Sequence, residues 1–223
     1  MNAESLCSRV SSFGYFLLEK GYAQNANPHK VIKGPSHRKD VIWVRSSVSG
    51  NLVSACPARL VDYLALLRAG DFSFVLDDGS IVQIAYIFDG ASVVRHRLLY
   101  YPCPLAIAPL DMIGYEGGLA DFIEENFSER LDEYLLLRSP IRFDFDPGDA
   151  RDYHPASHVT VNDPCCRIPV RSAMGYAMFV KFVLENFYPD IWGDSTVREA
   201  LSFDEHELCL AAHDKARAHL TWT

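Results

Sequence analysis

Two Asp-Gly dipeptides, Asp78-Gly79 and Asp89-Gly90, divide one stretch of the chain into three strand-like runs: FSFVL (72–76), IVQIAYIF (81–88) and SVVRHRLLYY (92–101). Asp-Gly readily adopts the left-handed backbone that a tight hairpin turn needs. β-rich runs flanking it are therefore read as paired antiparallel strands. This commits the centre of the chain to a three-strand meander. In the second run Val82, Ile84, Tyr86 and Phe88 alternate with Ile81, Gln83, Ala85 and Ile87. Alternate residues of a strand face opposite ways, and both sets are largely apolar, so this strand is expected to be covered on both faces.

The segments around the meander supply the covering layers. Residues 4–20 set Leu6, Val10, Phe13 and Leu17 on one helical face, with Gly21 as the stop. Pro57 is expected to open a helix running to about residue 69, with Leu60, Leu64 and Leu67 as its stripe and Gly70 closing it. Further helices are expected at about 117–130 and at 173–187, where Phe179, Phe182, Val183 and Phe187 are presented. Two short C-terminal helices are expected to open on capping boxes, Thr196 with Glu199 and Ser202 with Glu205. Strands are expected at 41–48, near 133–138, at 141–146 and at 156–163. The basic segment AQNANPHKVIKGPSHRK and the Pro-rich residues 102–115 read as loops. The fold class is α+β: an antiparallel sheet, the meander plus a histidine-bearing strand pair, packed against several helices. The 223 residues suit one domain, 1–223, with a helical insertion at about 106–138 and a helical C-terminal tail at about 190–223.

Composition removes several function classes. A net charge of −8 argues against a generic nucleic-acid coat and leaves room only for a local basic patch. The six cysteines contain no CxxC spacing, which argues against a structural zinc site. Cys165-Cys166 has no base beside it in the sequence and is read as inert. The N-terminal residues lack a basic segment followed by an apolar run, and scattered thiols suit a reducing compartment, so a cytoplasmic location is expected. No apolar run approaches the roughly 18 residues of a membrane span, so no membrane partner is expected. GxGxxG, Walker, GxSxG and HExxH patterns do not occur, and no cofactor is expected.

One stretch, Arg142 to Asn162, looks like a site. In RFDFD, Arg142, Asp144 and Asp146 share the face opposite Phe143 and Phe145. In SHVTVN, His158, Thr160 and Asn162 are expected to point outward and Val159 and Val161 inward. About ten residues carrying Tyr153, His154 and Ser157 join the two strands. If the strands pair, the polar sets meet on one face. A half-exposed antiparallel pair shows the same alternation with no function at all, and that reading stands beside the functional one. Metal binding by His154 and His158 is disfavoured. Four residues of straight strand span roughly 13 Å, and Zn–N bonds are only about 2 Å, so the metal set is read as none. Metal-free phosphodiester cleavage suits the residue types better. His158 and His154 would be base and acid, Arg142 would clamp phosphate and Asp144 would fix a histidine tautomer. Tyr153 and Ser157 would orient substrate. Arg95 and Arg97 share a face of the third meander strand, opposite His96, and would add a substrate-binding arginine to the patch.

The segments DGSIVQIAYIF, VVRHRLLYYPCP, SPIRFDFDP, HPASHVTVND, and RIPV followed by FVKFVLENFYP resemble a family of bacterial proteins known only as a conserved domain of unknown function. This resemblance runs from about Phe72 to Pro189 and implies no activity. The order Asp78-Gly79-Ser80, Arg95-His96-Arg97, Arg142-Phe143-Asp144, His154-Pro155 and His158 is also similar to small TumE-type toxins of toxin–antitoxin systems. Thr160 stands where a further histidine is expected in those toxins, and residues 106–138 would be an insertion. The second resemblance implies action on RNA, as a metal-independent ribonuclease-like toxin or phage-defence effector. The alternative is a non-catalytic protein that binds a partner encoded in the same operon. A long meander edge also offers a route to pairing of two copies.

Overall fold

A computed structural model of the chain describes residues 2–44 and 59–222. Its centre is a sheet built from β1 (Ala23–Ala26), β2 (His29–Lys33), β3 (Arg38–Trp43), β4 (Phe74–Leu76), β5 (Ile81–Asp89), β6 (Ser92–Tyr101), β7 (Ile141–Phe145), β8 (Ser157–Val161) and β9 (Arg167–Pro169). The main order is β1-β4-β5-β6-β7-β8-β9, and these pairings are antiparallel. β5 is the spine. Its first residues pair with β4, Phe74 opposite Val82, and its second half pairs with β3, Val41 opposite Tyr86. β2 lies outside β3.

The double-sided apolar pattern of β5 is met by two layers. Val82, Ile84, Tyr86 and Phe88, with Leu98, Tyr100, Phe143 and Val159 from neighbouring strands, pack against α1 (Ala3–Glu19) and α5 (Tyr176–Phe187). α1 presents the expected stripe of Leu6, Val10, Phe13 and Leu17, and the Asn2 side chain caps it by accepting from the Ser5 amide at 2.8 Å. On the other face Val75, Ile81, Leu99 and Tyr101 pack against α2 (Leu60–Ala69) and α3 (Leu119–Phe127). Gly70 closes α2 with φ 64°, the left-handed cap that glycine takes without a Cβ clash. The proposed opening of this helix at Pro57 lies outside the described residues. The fold is α+β, an antiparallel sheet between helical layers, as the periodicity implied.

Four local expectations are corrected. The basic segment expected to be a loop forms β1, β2 and β3. In β2 and β3 polar and apolar residues pair across a hairpin closed at Gly34, and the lysines hide the strand signal. The strand expected near 133–138 is instead a short helix, α4 (Leu131–Tyr134), followed by a single bridge between Leu135 and Leu105. After α6 (Pro189–Gly193), α7 (Ser195–Glu199) is capped not by Thr196 but by Asp194, whose carboxylate accepts from the Thr196 amide at 2.9 Å. Ser202 and Glu205 open no helix; the backbone there is irregular, and Asp204 instead pairs with Arg9 of α1 at 3.1 Å. The last helix is α8 (Ala212–Lys215).

Candidate functional site

β7 and β8 pair, so their polar sets meet on one face, and β6 and β9 extend it. The register lines up two rows across the sheet. One runs Ala85, Arg97, Asp144, His158, Pro169; the next, one pleat along, runs Gln83, Leu99, Arg142, Thr160, Arg167. Cross-strand partners share a face, so Arg97 and Arg142 flank the carboxylate Asp144, and Arg167 lies on the same face two strands away.

Asp144 is held from two sides. Arg97 Nε donates to its Oδ1 at 2.8 Å and Arg142 Nε to its Oδ2 at 2.6 Å. Burial alone would raise the Asp144 carboxyl, but the two guanidiniums outweigh it and hold it below its ordinary range. His158 faces the same carboxylate, its Nε2 lying 3.7 Å from Oδ2. Its other nitrogen, Nδ1, is 3.0 Å from the Pro155 carbonyl. A carbonyl can only accept, so Nδ1 carries the proton, and in the neutral ring Nε2 is bare. Burial pushes the His158 imidazole below its ordinary value, against the pull of Asp144. The loop between the strands turns back at a 3₁₀ turn, Pro147–Asp149, and brings the His154 ring to 4.9 Å from that of His158. Asp149 lies 3.7 Å from His154 Nε2.

The face is not outward-pointing, as alternation alone suggested. His158 and Thr160 are 2% and 1% exposed, and Arg142 and Asp144 are also buried. β6 and β9 flank the strand pair, and the polar side chains are buried against one another and against the returning His154 loop. The other expected site residues divide. Arg97 joins the cluster, whereas Arg95 is half exposed and paired with Asp146 at its margin. Tyr153 is 80% exposed, takes φ 61° and stands under the Arg217 guanidinium, away from the rows. Ser157 lies on the opposite face and donates to the Ser172 carbonyl at 2.8 Å, so the structure does not bring it to the patch. His96, also on that side, accepts from the Met174 amide at 2.8 Å and stacks on Phe145. Asn162 closes the turn after β8 with φ 64° and accepts from the Ser139 hydroxyl.

Sequence reading missed Arg167. Its strand is three residues long and comes after a turn at Asp163–Cys166, so it is too short to show a period. The one available signal was its place in RIPV, directly after the histidine strand.

Among the described residues no group of three or more His, Cys, Asp or Glu side chains is placed to hold a metal ion, and no helix is long and apolar enough to cross a membrane. No curated protein and no solved structure is significantly similar to the chain. The model of a family described as an uncharacterized conserved protein (DUF2290) matches residues 25–222, from β1 to the end of the described chain, and the protein belongs to that family.

Proposed function

We propose that the Arg97–Asp144–His158 row is the centre of a metal-independent phosphodiesterase site acting on RNA, in a ribonuclease-like toxin or phage-defence effector. The observation that carries this reading is the tautomer of His158. Its Nδ1–H is committed to Pro155, so a bare Nε2 is left on a face of arginines. That nitrogen takes the proton of a ribose 2′-hydroxyl. The 2′-oxygen attacks phosphorus, the bond to the 5′-oxygen breaks, and His154 returns a proton to the leaving oxygen. The products are a 2′,3′-cyclic phosphate and a 5′-hydroxyl. In this reading the Arg97 and Arg142 guanidiniums would offset the negative charge that gathers on the phosphoryl oxygens. The faint likeness to TumE-type toxins supports the same chemistry.

The test is overexpression of wild type and His158→Ala with sequencing of cellular RNA ends, then assay of the purified proteins on a single-stranded RNA. Wild type is expected to generate cyclic-phosphate ends. His158→Ala should lower the rate by about 10²-fold or more, as loss of an acid–base group does. Identical RNA profiles would remove the nuclease reading.

A second reading, a non-catalytic partner-binding protein of a defence or toxin–antitoxin operon, is favoured by the burial of His158 and Arg142, which suits a structural ion network. It expects co-purification with the product of an adjacent gene and no change in RNA.

A further inference from the structure

Three polar atoms of the two rows are buried without a hydrogen-bond partner among the described residues: Arg97 Nη1, Thr160 Oγ1 and Arg167 Nε. Buried polar atoms are nearly always satisfied, so each such orphan calls for a partner. Two of them belong to neighbouring residues on one face, because Thr160 and Arg167 are direct cross-strand partners on β8 and β9. Thr160 is also the direct partner of Arg142 on the other side. The hydroxyl therefore sits between two arginines, 1% exposed, with no carboxylate in its row. The nearest acid in register, Asp144, is already held by Arg97 and Arg142. A hydroxyl and a guanidinium N–H, both unsatisfied and flanked by positive charge, make a site for a tetrahedral oxyanion.

We propose that Thr160 and Arg167 form a phosphate subsite beside His158, which binds a phosphate neighbouring the one that is cleaved. Thr160 lies two residues from His158, one strand repeat or roughly 7 Å along β8. The subsite thus falls one position along a chain of phosphates, and the substrate class is a polynucleotide rather than a single nucleotide. The proposal deepens the nuclease reading and rests on it for the source of the phosphate; the anion site itself rests on the orphaned donors. Burial is the main cause that lowers the His158 imidazole, and the Arg167 charge adds a smaller push in the same direction from the neighbouring strand.

Two measurements test it. Inorganic phosphate is titrated into wild type, Arg167→Met, Thr160→Val and Thr160→Ser by calorimetry, with circular dichroism to verify folding. Wild type and Thr160→Ser should bind phosphate, and the Met and Val variants should bind about tenfold more weakly or worse, as loss of a charge-assisted donor predicts. Cleavage of a dinucleoside monophosphate is then compared with cleavage of the same molecule carrying one further terminal phosphate. The added phosphate should lower KM in wild type and not in Arg167→Met. Absence of phosphate binding by wild type, or equal binding by folded Met and Val variants, overturns the subsite even if RNA is cleaved. Phosphate binding that depends on Arg167, in a protein that cleaves no RNA, upholds the subsite and overturns the nuclease reading.

Discussion

A carboxylate with less than a tenth of its surface exposed is tolerated in a fold only when its charge is met. Asp144, 7% exposed, meets that condition through Arg97 and Arg142, which lie at hydrogen-bond distance on each oxygen. The converse also holds: each guanidinium depends on the acid. Asp144→Asn should therefore cost roughly 3–5 kcal/mol, the penalty for breaking a buried pair and stranding its partners. Urea denaturation of the variant measures this, and a loss below about 1 kcal/mol would mean that the arginines find other acceptors or water. That Asp144 and His158 would share a face if their strands paired could be read from sequence, because side-chain alternation has a period of two; their direct register is seen only in the fold. Their burial could not be read there, because it depends on the flanking strands β6 and β9, whose register β7 and β8 do not encode.

At the scale of elements, turns carried the most information. The Asp78-Gly79 turn joins β4 to β5 and is built tightly. Gly79 takes φ 86°, and a Cβ there would come within 3.0 Å of Leu119 Cδ2 and of the Tyr63 hydroxyl. Tyr63 itself donates to the Gly79 carbonyl at 2.7 Å. Gly79→Ala should destabilise the protein by about 1–3 kcal/mol, through left-handed strain and displacement of α2 and α3 from the turn. Gly90 occupies the next turn with φ 60° and nothing within 4 Å of its Cβ position, so Gly90→Ala should retain only the backbone cost, of about 1 kcal/mol. Equal losses in thermal denaturation would show that the packing around Gly79 contributes nothing. The elements that escaped sequence reading lack such punctuation. β2 (HKVIK) and β3 (RKDVIW) group their charged and apolar residues rather than alternating them, so no period of two shows. The capping pattern at Ser202 precedes residues with no apolar helical period, so no helix forms from it.

For the whole molecule, two buried histidines contribute strongly to the response to acid, beside Asp144 and His158. Burial pushes His29 down to about 4 and His96 to about 3. Both folded values lie below the unfolded value near 6.5, so between these limits the unfolded chain binds more protons and stability rises with pH. Stability should be complete above about pH 6.5 and fall as pH drops toward 4, by on the order of 3 kcal/mol from His29 alone. For His96 the cause is visible in the geometry: Nε2 accepts from the Met174 amide, and protonation would end that bond. Denaturation midpoints measured from pH 7 to 4 check this, and a flat profile would contradict it. The two edges of β5 differ in another way. Its partner β6 comes directly after a two-residue turn, so Ser92 opposite Asp89 is a nearly local contact. On the other edge Val41, opposite Tyr86, returns from more than forty positions earlier in the chain. Closing so large a loop costs entropy before any contact compensates it, so that edge should assemble late. A nascent chain emerging from the ribosome exposes β3 long before the strand it will pair with exists. During that interval β2 and β3 are an unpaired hairpin, and a segment studded with lysines is well protected there from joining the wrong partner.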